Sequence, residues 1–288
     1  MANLTPINKP ANDTGSLPKV KGDRRRSLRR WVNRLTWMTV ILAPLIFIVA
    51  AIGYKIGVID LSFAFGTLNQ KLGPIALGLC GATGLASVLG AFIVKPRKGL
   101  LPGILGILIT VVAMGKLLSM KKTVYEKLPF IHDVTTDTQD PPVFGEIVLA
   151  ERAAVEGVNA VDYIGKKAPV FKNEKPVGEE LVSALQSKAF PEIGPLILSD
   201  KKDVVFGEAL ATAKSMGWAI KEENLAEGRI DATDTTFWYG FDDDITIRLR
   251  DGKGGGTIVD VRSLSRVGGS DLGKNAERVS AFLQRLAR

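Results

Sequence analysis

A chain of 288 residues with a single cysteine, Cys80, and a single histidine, His132, is restricted in its chemistry from the outset. One cysteine excludes an intrachain disulfide, so any part facing an oxidising compartment must hold together by its core alone. One histidine excludes histidine-cluster zinc sites, and the His-Glu-x-x-His pattern is absent. A Walker loop, a dinucleotide-binding glycine fingerprint and a Gly-x-Ser-x-Gly elbow are missing too, so the usual phosphate cradles and the elbow-type serine triad have no basis in this sequence. No cofactor is called for.

Acidic residues are almost confined to the region after Lys121, and what precedes it is dominated by long apolar runs. Thr36 to Ile56, Pro74 to Val94 and Gly99 to Leu118 each have the length, about 20 residues, that a hydrocarbon core near 30 Å demands of a helix. Their only charges are Lys55 and Lys116, both near a run's end where the amine reaches the headgroups. The chain therefore divides into a disordered basic arm (1–35), a three-helix membrane region (36–120) and a polar domain (121–288). Trp31, Trp37 and Tyr54 suit interfacial belts. Pro44 and Pro102 are expected to kink or start helices. Cys80 reads as a small apolar residue in helix packing. Ala82, Ala86 and Gly90, with Gly99-x-x-x-Gly103, have the spacing of close helix contacts, either among this chain's own helices or in a homo-oligomer.

The net charge of +8 would admit nucleic acid if the basic residues were spread over the polar domain, but they are not. Lys19, Lys21, Arg24, Arg25, Arg26, Arg29, Arg30 and Arg34 crowd ahead of the first span, which suits anionic lipid and argues against nucleic acid. With Lys95, Arg97 and Lys98 on the same side, the flanks count eleven basic residues against five, Lys55, Lys71, Lys121, Lys122 and Lys127. That bias predicts a cytoplasmic N-terminus and a C-terminal domain on the far side of the inner, or plasma, membrane, periplasmic in a Gram-negative host.

Within the polar domain, Leu128 to Pro142 reads as an extended connector. Helix signals follow at Gly178 to Ser187 and from an Asp200 cap to Gly217. The period then changes to two, predicting strands at Trp218 to Lys221, Arg229 to Phe237, Ile245 to Arg250 and Thr257 to Arg262, and Leu272 to Ala287 closes as an amphipathic helix. The expected fold is α+β: three transmembrane helices, then an antiparallel four-stranded sheet with helices packed on one face.

Candidate chemistry gathers in two stretches. If Ile245, Ile247 and Leu249 face the core, Arg248 lies across from Asp260, as a solvated cross-strand ion pair or as part of a site. Arg262, Arg266 and the Gly268-Gly269-Ser270-Asp271 turn are expected to converge on the start of the last helix, where free amides favour an anion unless Ser270 or Asp271 caps them, and Ser263, Ser265 and Asn275 are further candidate ligand residues. Asp242, Asp243 and Asp244 offer oxygens to a divalent metal but lack the spaced pattern of a calcium loop; a solvated turn is the competing reading.

At these residues the chain resembles a known family. Phe241 to Arg248, Val259 to Arg266 and Ser270 to Ala276, with Ala189 to Ile193 and Ile230 to Thr233 upstream, are similar to the domain of unknown function 1499, found mainly in bacteria. The resemblance covers about His132 to Leu286. It carries no activity; it implies that the Arg-Ser-x-Ser-Arg and Ser-Asp-x-Gly-x-Asn segments form one unit, a hydrogen-bonded network or a binding site. The function expected is a tethered module that binds an envelope component or anionic ligand. The alternatives are an envelope hydrolase using Asp243, Asp244 or Asp260, and a structural partner of another membrane protein.

Overall fold

The computed structural model describes residues 21–93, 95 and 97–287. Two compact units form, one from the chain up to Leu45 with Leu72–Val112, the other from Ile46–Lys71 with the chain from Ala113 onward.

The apolar runs are helices: α1 (Lys21–Lys55), α2 (Gly73–Ile93) and α3 (Leu100–Lys122), with π-helical turns at Ser62–Leu72 and Thr123–Lys127. Arg24–Lys55, Ser62–Ile93 and Leu100–Lys127 are long and apolar enough to cross a membrane, and only 28%, 28% and 17% of their most apolar windows are buried. Helices apolar on nearly every side have an outward surface that suits lipid. Residues 21–35 belong to α1, which corrects the expectation that the whole arm is disordered; residues 1–20 lie outside the described residues. Arg and Leu in that stretch are good helix formers, and the span behind it supplies the nucleus.

Leu77, Cys80, Gly84, Ser87 and Ala91 form the buried stripe of α2. A Cβ on Gly84 would lie 2.8 Å from the Gly103 carbonyl oxygen, so the glycines let two backbones touch. Hydroxyls add interhelical bonds: Thr110 Oγ1 donates to Leu77 O (2.8 Å) and Ser87 Oγ to Gly99 O (2.9 Å). Cys80 is buried in this packing, with Sγ 3.6 Å from Gly106 O. Ala82 and Ala86 instead point outward, contrary to a role among this chain's own helices.

In the second unit, among the described residues, the sheet has six strands rather than the four expected. They are β1 (Asp133–Thr135), β4 (Leu196–Leu198), β5 (Ala219–Asn224), β6 (Arg229–Thr235), β7 (Asp242–Asp251) and β8 (Thr257–Ser265), ordered β1-β8-β7-β6-β5 with β4 also on β8. β1 and β4 have three residues each, too short for a period to register. β2 (Lys167–Lys172) and β3 (Lys175–Leu181) make a separate hairpin, turned by positive φ at Asn173 and Glu174. That hairpin takes the start of the helix expected at Gly178; α5 begins at Val182 and runs to Ala189.

Helices α6 (Lys202–Ser215) and α7 (Lys274–Leu286) cover one sheet face, as expected, over Ile230, Ala232, Ile245, Ile247, Leu249, Val259 and Val261. Phe282 of α7 is fully buried and stacks on Trp218 at 5.4 Å. Asp200 does not cap α6 through its side chain; Lys201 holds the N-cap position, and the Asp200 carbonyl accepts from Thr257 Oγ1. Leu272 and Gly273 have positive φ, which holds α7 back to Lys274. The second sheet face is not left to solvent. α4 (Glu146–Ala153) lies on it, with Phe144 and Val148 against Leu264, so the expectation of helices on a single face is corrected.

Candidate functional site

Strand alternation sends Asp244, Thr246 and Arg248 of β7, with Asp260, Arg262 and Leu264 of β8, toward the α4 face. Because α4 closes that face, charges that would otherwise be hydrated have to find one another. Asp244 has no exposed surface and accepts from four donors: Arg152 Nη1 (2.7 Å), Arg266 Nε (2.9 Å) and Nη2 (2.8 Å), and Thr233 Oγ1 (2.8 Å). Arg266 continues to Glu151 (2.7 Å) and Asp242 (3.3 Å), and Glu151 to Lys221 (2.8 Å). Burial by itself would lower the Arg266 pKa, but the bonds to Asp244 and Glu151 raise it, whereas burial prevails at Arg152 and lowers it.

Arg262 grips Asp133 bidentately (Nε 3.0 Å, Nη2 2.8 Å) and lies over the rings of Phe144 and Tyr163. Arg248 is in register with Asp260, and its Nη2 donates to Oδ2 at 3.1 Å, joined by Arg250 Nη2 at 2.6 Å. Asp260 is fully buried, so this is not the solvated pair the strand pattern also allowed. Asp137 and Asp140 complete the group from the connector.

On the α7 face, Asn275 and Arg278 continue the buried stripe of the helix as polar residues. Arg278 bonds Asp243 (2.7 Å), Asp234 (2.7 Å), Ser263 (3.1 Å) and Asn275 (2.6 Å), and Asn275 Nδ2 donates to Ser265 Oγ (3.0 Å). Asp271 accepts from the amides of Gly273 (2.9 Å) and Asn275 (2.8 Å), filling the place an external anion would take at this helix start.

The eight candidate ligand residues, Arg248, Asp260, Arg262, Ser263, Ser265, Arg266, Asp271 and Asn275, are thus distributed over both faces. Ser263, Ser265 and Asn275 come together, with Asp271 bonded to the Asn275 amide; Arg248 joins Asp260; Arg262 and Arg266 have other carboxylates as partners. Asp243 and Asp244, adjacent in a strand, point to opposite faces, so the three aspartates do not converge on one point. Among the described residues no group of three or more His, Cys, Asp or Glu is arranged to hold a metal. Asp133, Glu151, Arg152 and Arg278 carry much of the network and escaped the sequence reading. Arg278 alone left a trace, three residues after Asn275 on the buried stripe of α7.

One recess holds Lys166, which makes no ion pair among the described residues. It measures about 130 Å³ and is lined by Phe130, Ile131, His132, Lys166, Pro169 and Val182. Lys166 Nζ donates to His132 Nε2 (3.1 Å) and Ala160 O (3.2 Å), which leaves His132 Nδ1 as the donor to Gly269 O (3.2 Å). Burial first, and then the neighbouring Lys166, lower the pKa of His132; burial lowers that of Lys166, with Arg262 and Arg152 adding to it and Asp133 opposing.

A family model described as "Protein of unknown function (DUF1499)" matches residues 133–286, from β1 through α7. No curated protein matches the chain.

Proposed function

The chain belongs to the DUF1499 family, and from that premise we propose that it is a membrane-tethered module whose C-terminal domain lies outside the cytoplasm and binds an anionic ligand of the cell envelope. The bilayer is its first partner, in the inner membrane of a bacterium. The basic flanks, eleven residues against five, support the orientation. The ligand meets Lys166 and His132 rather than the arginines first nominated. One observation carries this: the arginines Arg152, Arg248, Arg262, Arg266 and Arg278 all have carboxylates of this chain as partners, whereas Lys166 makes no ion pair among the described residues. A half-buried ammonium beside an open recess favours an anion. The hydrolase reading is weaker, because Asp243, Asp244 and Asp260 are each engaged by arginine.

The test is a thermal melt of the full chain in lipid nanodiscs with increasing inorganic phosphate or acetate. A melting temperature that rises with concentration in the native chain and not in Lys166→Met supports the reading, since a ligand at about 100 times its Kd adds roughly 2.7 kcal/mol. An equal response in the two proteins refutes it. A second reading, a homo-oligomer or helix partner in the membrane, is supported by the outward positions of Ala82 and Ala86; native mass spectrometry of nanodiscs carrying Ala82→Leu tests it.

A further inference from the structure

The turn between β6 and β7 exposes two large aromatic side chains, Phe237 (77% exposed) and Trp238 (64%), packed edge to face at 5.3 Å. Neither covers any part of the domain core. Exposed pairs of this size on an ordinary globular surface mark a contact.

The base of the turn is fastened to the C-terminal end of α1. Lys55 Nζ donates to Phe237 O at 2.7 Å and lies 5.2 Å from the Phe237 ring centre. Tyr54 packs on Phe241 (5.3 Å), Phe65 on Tyr239 (4.8 Å), and Asn69 Nδ2 donates to Tyr239 OH (2.6 Å). Gly240, at φ +67, brings the turn so close that a Cβ would lie 3.0 Å from Lys55 Cγ. Lys55 ends an apolar helix long enough to cross a bilayer, and Ile56 and Val58 just beyond it are also exposed. The height of the turn is therefore tied to the level at which hydrocarbon gives way to headgroups. Aromatic side chains, Trp above all, are favoured there, because an apolar ring and a polar edge are both accommodated.

We infer that the β6–β7 turn is a second membrane contact, with Phe237 and Trp238 seated in the lipid interface of the leaflet beside the domain. The occupant is the lipid surface rather than another protein, by continuity with the end of the span. The inference rests on the reading that α1 crosses the bilayer. Its consequence is a domain held against the membrane at a point distant in sequence from the α3 connection.

The experiment uses the full chain in nanodiscs made with and without lipids brominated near the headgroup end of the acyl chain. Subtracting the emission of Trp238→Phe from that of the native chain isolates Trp238 without disturbing buried Trp218; subtracting Trp37→Phe isolates Trp37, within the span. The expected Trp238 component is blue-shifted, loses intensity with bromolipid and resists aqueous acrylamide. Quenching by acrylamide and not by bromolipid overturns the inference, and so does protection from both, which indicates a protein contact. Bromolipid quenching of Trp37 then assigns the failure to the inference alone, whereas an unquenched Trp37 sinks the spanning reading with it.

Discussion

Asp244→Asn separates a structural carboxylate from a chemical one. Asp244 is fully buried and holds two guanidinium groups and one hydroxyl, so the amide leaves Arg152 and Arg266 facing one another across a neutral side chain. Removing one partner of a buried ion pair costs about 3–5 kcal/mol, most of it the penalty of the stranded charge. The amide oxygen still accepts some of these bonds, and Glu151 and Asp242 still face Arg266, so the loss falls within that range rather than above it. For a domain of this size each kcal/mol moves the melting temperature by roughly 2–4 °C, which gives a drop of about 6–20 °C. Near-ultraviolet circular dichroism of the full chain reads the transition, since Trp218 stacked on Phe282 reports the core. Glu223→Gln is the comparison: its pair with Lys214 spans 3.2 Å, but the two side chains are 46% and 54% exposed. Exposed pairs of this kind contribute under about 1 kcal/mol. Adding Arg152→Met to Asp244→Asn removes one stranded charge and should recover part of the loss. If Asp244→Asn melts within a degree or two of Glu223→Gln, the buried network does not hold the fold as argued, and Asp244 becomes a candidate for chemistry again.

Other outcomes follow from single contacts. Burial raises the Asp271 carboxyl from 3.8 to about 6, against its two backbone amide bonds, so the folded state binds the proton more tightly than the unfolded chain. Its contribution is fully present below 3.8 and lost as pH rises through about 6; Asp271→Asn should flatten that part of the melting profile, and an unchanged slope would contradict it. Gly145→Ala places a Cβ 2.5 Å from Glu222 Oε2 and 2.6 Å from Asp231 Oδ2, beside the Gly145 amide that donates to Asp231. Overpacking of this kind costs roughly 1–3 kcal/mol, to be read by denaturant titration. Gly103→Leu drives a side chain into Val88 Cγ2, 2.7 Å from the Cβ position, and should destabilise the helical unit, whereas Ala82→Leu, pointing outward, should not. Resistance to dodecyl sulphate distinguishes the two.

Much of the fold was legible in particular residues. The three apolar runs became three helices within a few residues of their expected ends, except that α1 begins well upstream of Thr36, because polar residues continue a helix whose nucleus is already present. The alternation of Ile245, Ile247 and Leu249 correctly put Arg248 opposite Asp260. The short strands β1 and β4 and the hairpin β2–β3 were not legible, since three residues make no period, and in the hairpin β3 is exposed throughout while β2 buries only Ala168. Ala82 and Ala86 show the same limit within a helix: small residues occur on both faces of α2, and only the packed arrangement tells which stripe is used.

Hydrophobicity is a property each residue carries by itself and sums along the chain, so the sequence alone determined which segments suit a bilayer, which alternate as strands and where the charge is concentrated. The partner of a charge is a property of two places at once. Asp133 and Arg262 lie 129 positions apart, and Arg152 and Asp244 lie 92 apart. Only the tertiary structure could decide that α4 closes the charged face of the sheet and makes these ions counterions of each other. Asp133, Asp244 and Asp260 are thereby each engaged by arginines of this chain, a pairing that no stretch of the sequence displays by itself.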